Sequence, residues 1–221
     1  MKKVRKLIVQ EFGQIGTLIT EDMPVVSEGE VLLESEYSGI NYKDALAVLS
    51  EGKILKNYPM SPGIDLAGKV TESKSSLFKV GESAFINGCN FGEVISGGFA
   101  EAAVVPADRL MKLPQGMTAR EAMIYGTAGF TAALCVERMQ VNGQVPEKGP
   151  IVVTGASGGV GSFAVGILSM LGYEVIAVSG RPEMFDGLKA YGASQCCTPE
   201  ELELGNSALG KARFAGAIDN V

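Results

Sequence analysis

The sequence predicts an α/β protein in two parts, a β-barrel-like domain over residues 1–117 and a doubly wound parallel sheet over residues 118–221. Three observations carry this. Residues 1–117 hold short β-type runs separated by Gly, Pro, Asp and Ser turns. At Leu113-Pro114-Gln115-Gly116 the apolar period changes from two to about 3.6. Further on, Ile151-Val152-Val153 leads through Thr154-Gly155-Ala156-Ser157-Gly158-Gly159-Val160-Gly161 into a helical pattern.

In the first part, strands are predicted over 4–10, 18–20, 31–37, 66–71, 83–86 and 99–105. A helix over 42–49 lies among them, with Asn41 as N-cap and Asp44 in the first turn, where its charge suits the helix dipole. Thr118-Ala119-Arg120-Glu121 is a capping box that opens the second part. A further helix over 130–139 follows Gly126-Thr127-Ala128-Gly129, and a polar turn over 142–149 comes next. The apolar β-branched residues 151–153 then read as a buried parallel strand. Behind the glycine run, Val160, Phe163, Ala164, Ile167, Leu168 and Leu171 are spaced three and four apart on one helical face, and Gly172 suits the C-terminal cap. Residues 173–178 alternate as a second strand and complete a β-α-β unit. Pro182 opens a helix that stops at Gly192, 195–197 form a third strand, Thr198-Pro199-Glu200-Glu201 begins another helix, and 215–221 form a fourth strand. No turn or polar tail follows that strand, so the doubly wound sheet is expected to be incomplete, its chain truncated at the C-terminus.

Composition narrows the chemistry. A hydrophobic content of 46% in 221 residues suffices for a core. No apolar run reaches the roughly 18 residues of a membrane span, and the run after Met1-Lys2-Lys3 is too short for a signal peptide, so the cytoplasm is the expected location. Cys89, Cys135, Cys196 and Cys197 contain no C-x-x-C pair and are expected to be reduced, buried thiols. A net charge of -6 argues against nucleic acid or an anionic membrane as partner. The count of zero histidines excludes Ser-His-Asp and Cys-His catalysis and denies a zinc site its usual imidazoles. Proton transfer then falls to Tyr, Lys, Cys, a carboxylate or water.

The glycine run carries a specific instruction. A helix N-terminus offers unpaired N–H groups and partial positive charge, so a pyrophosphate can sit over Ser157, Gly158, Gly159 and Val160 if no side chain blocks it. Gly158 and Gly161 provide that access. Ala156 replaces the first glycine of a strict G-x-G-x-x-G, so the order strand, loop, helix carries the reading rather than the motif alone. An NAD site of this kind has an acidic residue about 20 residues further on, for the ribose 2′-OH. Here that place holds Ser179-Gly180-Arg181, with no carboxylate to repel a 2′-phosphate, a guanidinium to pair with it and a hydroxyl to donate. NADPH is therefore the expected cofactor. The alternative is that Arg181 is a solvated residue at a helix start, although a cation there opposes the helix dipole.

Taken with Gly39-Ile40-Asn41-Tyr42-Lys43-Asp44, Pro62-Gly63-Ile64-Asp65-Leu66-Ala67-Gly68, Val80-Gly81-Glu82, Gly97-Gly98-Phe99-Ala100-Glu101, Gly126-Thr127-Ala128-Gly129-Phe130-Thr131-Ala132 and Phe214-Ala215-Gly216-Ala217-Ile218-Asp219, the chain resembles the medium-chain dehydrogenase/reductase superfamily. The resemblance is to its zinc-free, quinone-oxidoreductase-like branch, of the acrylyl-CoA reductase (NADPH) type, and covers essentially all 221 residues. It implies a GroES-like substrate domain, a Rossmann cofactor domain and a cleft between them. In the zinc-dependent relatives a catalytic Cys stands at the Asn41 position and a His-Glu pair at Ile64-Asp65, so neither that site nor the structural-zinc lobe is implied here. Family members run well past residue 221, and the complete protein is expected to form a homodimer.

The resemblance also implies roles. Tyr42 is the candidate catalytic or nicotinamide-facing group. Reduction of an enoyl thioester sends hydride to the β-carbon and creates an enolate, which needs a donor at its oxygen and a proton at the α-carbon, and a phenol, which in general titrates near 10, can provide either. Asn41 could orient substrate or cofactor through its amide. Against this, a Tyr early in an amphipathic helix is most often packing. Thr127 corresponds to a position beside the nicotinamide, and helix capping is an equally good reading from sequence. Lys43, Lys53 and Lys56 could meet coenzyme A phosphates, although a solvated charged face fits them better. Cys89 could line the cleft but has no base beside it to make it a nucleophile. Acrylyl-CoA is the leading substrate and a quinone the runner-up, with a nucleotide-binding protein lacking turnover as the reading from another class.

Overall fold

A computed structural model describes residues 2–202 and 212–221. The chain forms two units, Met1–Thr127 and Ala128–Val221. This division falls later than the 117/118 boundary suggested by the change of period.

In the first unit, β1 (Lys3–Ile8) pairs antiparallel with β2 (Thr17–Asp22). A five-stranded antiparallel sheet follows from β3 (Glu30–Ser38), β4 (Asp65–Ser73), β5 (Ser83–Asn87), β6 (Ala102–Pro106) and β7 (Met111–Lys112), in the order β6-β3-β4-β5-β7. The two-residue period of β3 explains its placement. Val31 and Leu33 face one core with Leu66, Ile86 and Val105, while Leu32 turns to the other side and packs with Val4, Val26 and Ala102. The helix α1 (Tyr42–Val48) leads from β3 toward β4 and begins at Asn41, which has extended backbone. The predicted strand 99–105 begins only at Ala102, and Phe99 instead exchanges backbone hydrogen bonds with Leu7 and Pro62. The strand β1 likewise stops at Ile8, with Val9 in a separate bridge to Met60.

The two helices expected after Thr118 are both present within the segment labelled α2 (Ala119–Val141): the backbone of Gly126, at φ 50° and ψ -159°, is not helical and separates them with a kink. Its capping box is formed: Glu121 accepts from the Thr118 backbone N–H at 2.8 Å, and Thr118 Oγ1 accepts from the Glu121 N–H at 3.2 Å.

The second unit contains β8 (Ile151–Val153), α3 (Gly159–Met170), β9 (Val175–Val178), α4 (Phe185–Ala190), β10 (Gln195–Cys197) and β11 (Gly216–Ile218). Among the described residues its four strands are all parallel, in the order β10-β9-β8-β11. Counted from β8, that is the 3-2-1-4 order of the Rossmann sheet. Both faces of β8 are covered: Ile151 and Val153 pack with Ala164, Val165 and Leu168 of α3, and Val152 packs on the other side with Ile176 and Val178. Burial on both faces also corrects the reading of 173–178 as an alternating strand. Residues 175–178 are all buried, and Tyr173 precedes the strand with its hydroxyl donating to the Gln144 carbonyl at 2.8 Å. The helix expected from Pro182 begins as a 3-10 turn, Pro182–Met184, and becomes α-helical at Phe185. At the helix start expected from Thr198-Pro199-Glu200-Glu201 a reciprocal cap between Thr198 and Glu201 is present, and residues 203–211 lie outside the described residues.

All four cysteines are free. Only Cys197 is buried, Cys135 and Cys196 are half-buried, and Cys89 is exposed on a turn at φ 52°, which corrects the expectation that all four are interior thiols. Burial pushes the Cys196 and Cys197 thiols above their ordinary value. Among the described residues no helix is long and apolar enough to cross a membrane.

Candidate functional site

The β-α-β unit builds a phosphate cradle from glycines. Gly155 leaves β8 at φ 55°, in the left-handed region, and turns the chain toward α3. A Cβ on Gly161 would lie 2.3 Å from the Gly155 carbonyl oxygen, so the first turn of α3 can pack against the loop only without a side chain there. Gly158 is the N-cap, with extended backbone and an N–H bonded to the Gly155 carbonyl at 2.9 Å. The N–H groups of Gly159, Val160 and Gly161 have no earlier helical carbonyl to reach, and Gly158 and Gly159 are exposed. Such a helix start, with no acidic residue in its first turn, suits a phosphate.

Beside the cradle lies a cavity of about 420 Å³ bounded by Thr154, Ser157, Ser179, Arg181, Leu202 and Asp219. Arg181 is held over it by the glycine loop. Its Nη2 donates to the Ser157 carbonyl at 2.7 Å and to Ser157 Oγ at 2.9 Å, and its Nε donates to the same Oγ at 3.1 Å. The Ser157 and Ser179 hydroxyls are 2.7 Å apart, and Ser179 Oγ also accepts the Arg181 backbone N–H at 3.1 Å. Ser157, Ser179, Gly180 and Arg181 therefore meet at the C-terminal ends of β8 and β9. Among the described residues the one carboxylate on the cavity wall is Asp219, which is engaged by the Thr154 hydroxyl rather than standing at the end of β9. These residues fit a dinucleotide carrying a phosphate on its ribose.

In the first unit the sequence-nominated residues meet at two buried carboxylates. Asp44 and Asp65 are each 1% exposed. Asp44 accepts the backbone N–H of Asn41 at 2.8 Å and that of Ile64 at 3.0 Å, which ties the start of α1 to the start of β4. Asp65 Oδ2 accepts the Thr127 backbone N–H at 2.8 Å, and its Oδ1 accepts the Thr127 hydroxyl at 2.5 Å. The Asn41 side-chain Nδ2 bridges the pair, 2.8 Å from Asp65 and 3.2 Å from Asp44. A Cβ on Gly126 would come within 2.7 Å of Asp65 Oδ2, so the break in α2 is what lets the carboxylate receive Thr127. Burial raises the Asp44 carboxyl above its ordinary value; hydrogen bonds from Asn41 and Ile64 oppose that, and the charge of Asp65 adds to it.

Tyr42 stands next to this cluster and is 81% exposed, so its ring is not part of a core among the described residues. Thr127 is joined to Asp65, so its hydroxyl already acts within the cluster. Of the lysines, Lys43 pairs with Glu93 at 2.8 Å and Lys56 donates to the Lys53 carbonyl at 2.7 Å, as a solvated charged face requires. A more open hollow of about 510 Å³ around Lys6, Leu18 and Phe99 contains none of the nominated residues. Sequence reasoning missed Asp44 and Asp65 as a hub. The available signal was a carboxylate at Asp65 set between apolar Ile64 and Leu66, and an Asn-x-x-Asp spacing from Asn41 to Asp44. Among the described residues no group of three or more Cys, Asp or Glu could hold a metal ion.

Residues 27–115 match the alcohol dehydrogenase GroES-like domain. The chain is 47% identical over 216 residues to the probable acrylyl-CoA reductase AcuI of Escherichia coli, covering 97% of this chain and 66% of the relative. It is 46% identical over 208 residues to the putative quinone oxidoreductase YhfP of Bacillus subtilis, covering 94% and 62%. The chain thus spans less than two thirds of the length of these curated relatives in both cases. Among solved structures it resembles Escherichia coli YhdH with bound NADPH, at a TM-score of 0.90 and 47% identity over 98% of this chain and 67% of that one. It also resembles Bacillus subtilis YhfP with NAD bound, at 0.90 and 40% over 98% and 67%. With a GroES-like match, a Rossmann strand order and relatives of this identity, the chain belongs to the medium-chain dehydrogenase/reductase family, in its quinone-oxidoreductase-like branch.

Proposed function

We propose that this chain carries the binding machinery of an NADPH-dependent reductase that adds hydride to an activated C=C bond of an α,β-unsaturated thioester such as acrylyl-CoA. The observation that carries the cofactor is Arg181 laid across Ser157 and beside Ser179, at the place where an NAD site has a carboxylate. The name of the Escherichia coli relative supports the substrate.

NADPH, when bound, supplies the hydride. Ser157 and the N–H groups of Gly159 and Val160 receive the pyrophosphate at the start of α3, where Gly158 leaves the approach open. Ser179, Gly180 and Arg181 receive the 2′-phosphate, the guanidinium through charge-assisted hydrogen bonds. Tyr42 and Thr127 serve the nicotinamide end. An α,β-unsaturated thioester reduced at its β-carbon would develop charge on the thioester oxygen, and the exposed Tyr42 hydroxyl would be the donor for that oxygen. Asn41 orients the ligand.

A quinone is the second reading, favoured by the name of the Bacillus subtilis relative. The purified protein mixed with NADPH and either acrylyl-CoA or a quinone at matched concentration separates the two by the rate of NADPH oxidation. Faster oxidation with acrylyl-CoA is expected. Binding of NADPH with no oxidation by either acceptor would replace both readings with a nucleotide-binding protein lacking turnover.

A further inference from the structure

Both N–H bonds of the Asn41 side-chain amide are spent inside the protein. Its Nδ2 donates to Asp65 Oδ2 at 2.8 Å and to Asp44 Oδ2 at 3.2 Å. Neither carboxylate can serve a flipped amide, because each is already committed as an acceptor: Asp65 to the N–H and hydroxyl of Thr127, Asp44 to the backbone N–H groups of Asn41 and Ile64. Turning the amide over would set its carbonyl oxygen against two acceptors at buried positions and take its N–H bonds away from both of them. The amide is thus fixed with Oδ1 turned away from both carboxylates: it faces the Asp44 backbone N–H in the capping box of α1 and keeps a second lone pair, on a half-buried residue beside the exposed Tyr42.

We infer that Asp65 is a positioning residue that makes Asn41 an acceptor-only group, and that Asn41 Oδ1 recognises an amide N–H of the ligand. This rests on the reductase reading, in which two such donors exist: the carboxamide of the nicotinamide and the amides of the pantetheine arm of an acyl-CoA. It also assigns a negative role. Asn41 has no N–H left for an enolate oxygen, so that donor must be another group, as Tyr42 can be.

The test compares binding of NADPH with binding of its 3-acetylpyridine analogue, which keeps the carbonyl and lacks the amide N–H, in wild-type protein, Asp65→Asn and Asn41→Ala. If the donor is the carboxamide, wild-type protein prefers NADPH by about three- to tenfold, the worth of one neutral hydrogen bond, and both variants bring the ratio close to one. If the donor is the pantetheine amide, the cofactor ratio stays near one throughout and the KM for the acyl-CoA rises about three- to tenfold in both variants with kcat little changed. Unchanged ratios together with an unchanged KM overturn the inference and leave the reductase reading standing. Wild-type protein that binds no NADPH sinks that reading instead. Exchange of the Asn41 side-chain NH2 protons, followed by NMR in the wild-type protein, needs neither cofactor nor a folded Asp65→Asn. Slow exchange is expected of an amide donating both protons to buried carboxylates, and exchange as fast as that of a solvent-exposed amide would overturn the positioning role.

Discussion

The Arg181 guanidinium is held by Ser157 through three hydrogen bonds, 2.7 Å to its carbonyl oxygen and 2.9 and 3.1 Å to its hydroxyl. A long cation on an exposed loop loses rotamer freedom when it binds a ligand, and here the glycine loop has already removed much of that freedom. The guanidinium is therefore poised to discriminate between dinucleotides with and without a 2′-phosphate. Arg181→Ala should weaken NADPH binding about 10- to 100-fold, the range for losing hydrogen bonds to a charged group, and NADH binding by far less. Fluorescence titration with both nucleotides decides it, and equal losses for the two would defeat the assignment.

Gly161 has no room for a side chain, since a Cβ there would meet the Gly155 carbonyl oxygen at 2.3 Å and the Ala156 Cα at 2.7 Å. These are backbone atoms and cannot swing aside, so Gly161→Ala must displace the loop from the start of α3. The expected cost is about 1–3 kcal/mol of stability, as for overpacking in a core, together with loss of dinucleotide binding. Urea denaturation and NADPH titration of the variant measure the two effects. A variant with wild-type stability and affinity would show that the loop and helix need not approach so closely.

Tyr42 gives the opposite expectation. At 81% exposure its hydroxyl contributes little to folding, so Tyr42→Phe should leave stability within about 0.5 kcal/mol of wild type. If the phenol donates to the thioester oxygen as charge develops, kcat should fall about 10²-fold or more. Turnover by the Phe variant at the wild-type rate would remove the donor role while leaving a binding one.

What could be read from the sequence was what the chain brings together locally. The cradle runs continuously from Ile151 to Gly161, and Arg181 follows Ser157 by a single helix and strand, so motif spacing reached both. The hub at Asp65 was not legible because its partners come from distant segments: Asn41 lies 24 residues before it and Thr127 lies 62 residues after it. The same limit explains α2. The break between its two helices was legible at Gly126-Thr127-Ala128-Gly129, but the reason for it was not: a Cβ on Gly126 would meet the carboxylate of the distant Asp65. Periodicity also misjudged 173–178, since a strand covered on both faces has no polar side to alternate with.

The buried carboxylate pair makes stability respond to pH in a direction that can be worked out. Burial is the main cause that holds the Asp44 carboxyl above its ordinary value, with the Asp65 charge adding to it and the Asn41 and Ile64 donors working against it. The native state therefore holds the Asp44 proton more tightly than the unfolded chain does. The stability that this proton contributes is fully present below the unfolded pKa of about 3.9 and is lost as pH rises through the raised native value. Asp44→Asn cannot ionise and escapes that loss, although it forfeits part of the hydrogen bonding to Asn41 and Ile64 at every pH. Measured by urea denaturation across the acidic range, the stability of Asp44→Asn relative to wild type should improve as pH rises from below about 4, then level off. A relative stability that is flat, or that worsens over the same range, would mean that the donors around Asp44 outweigh its burial.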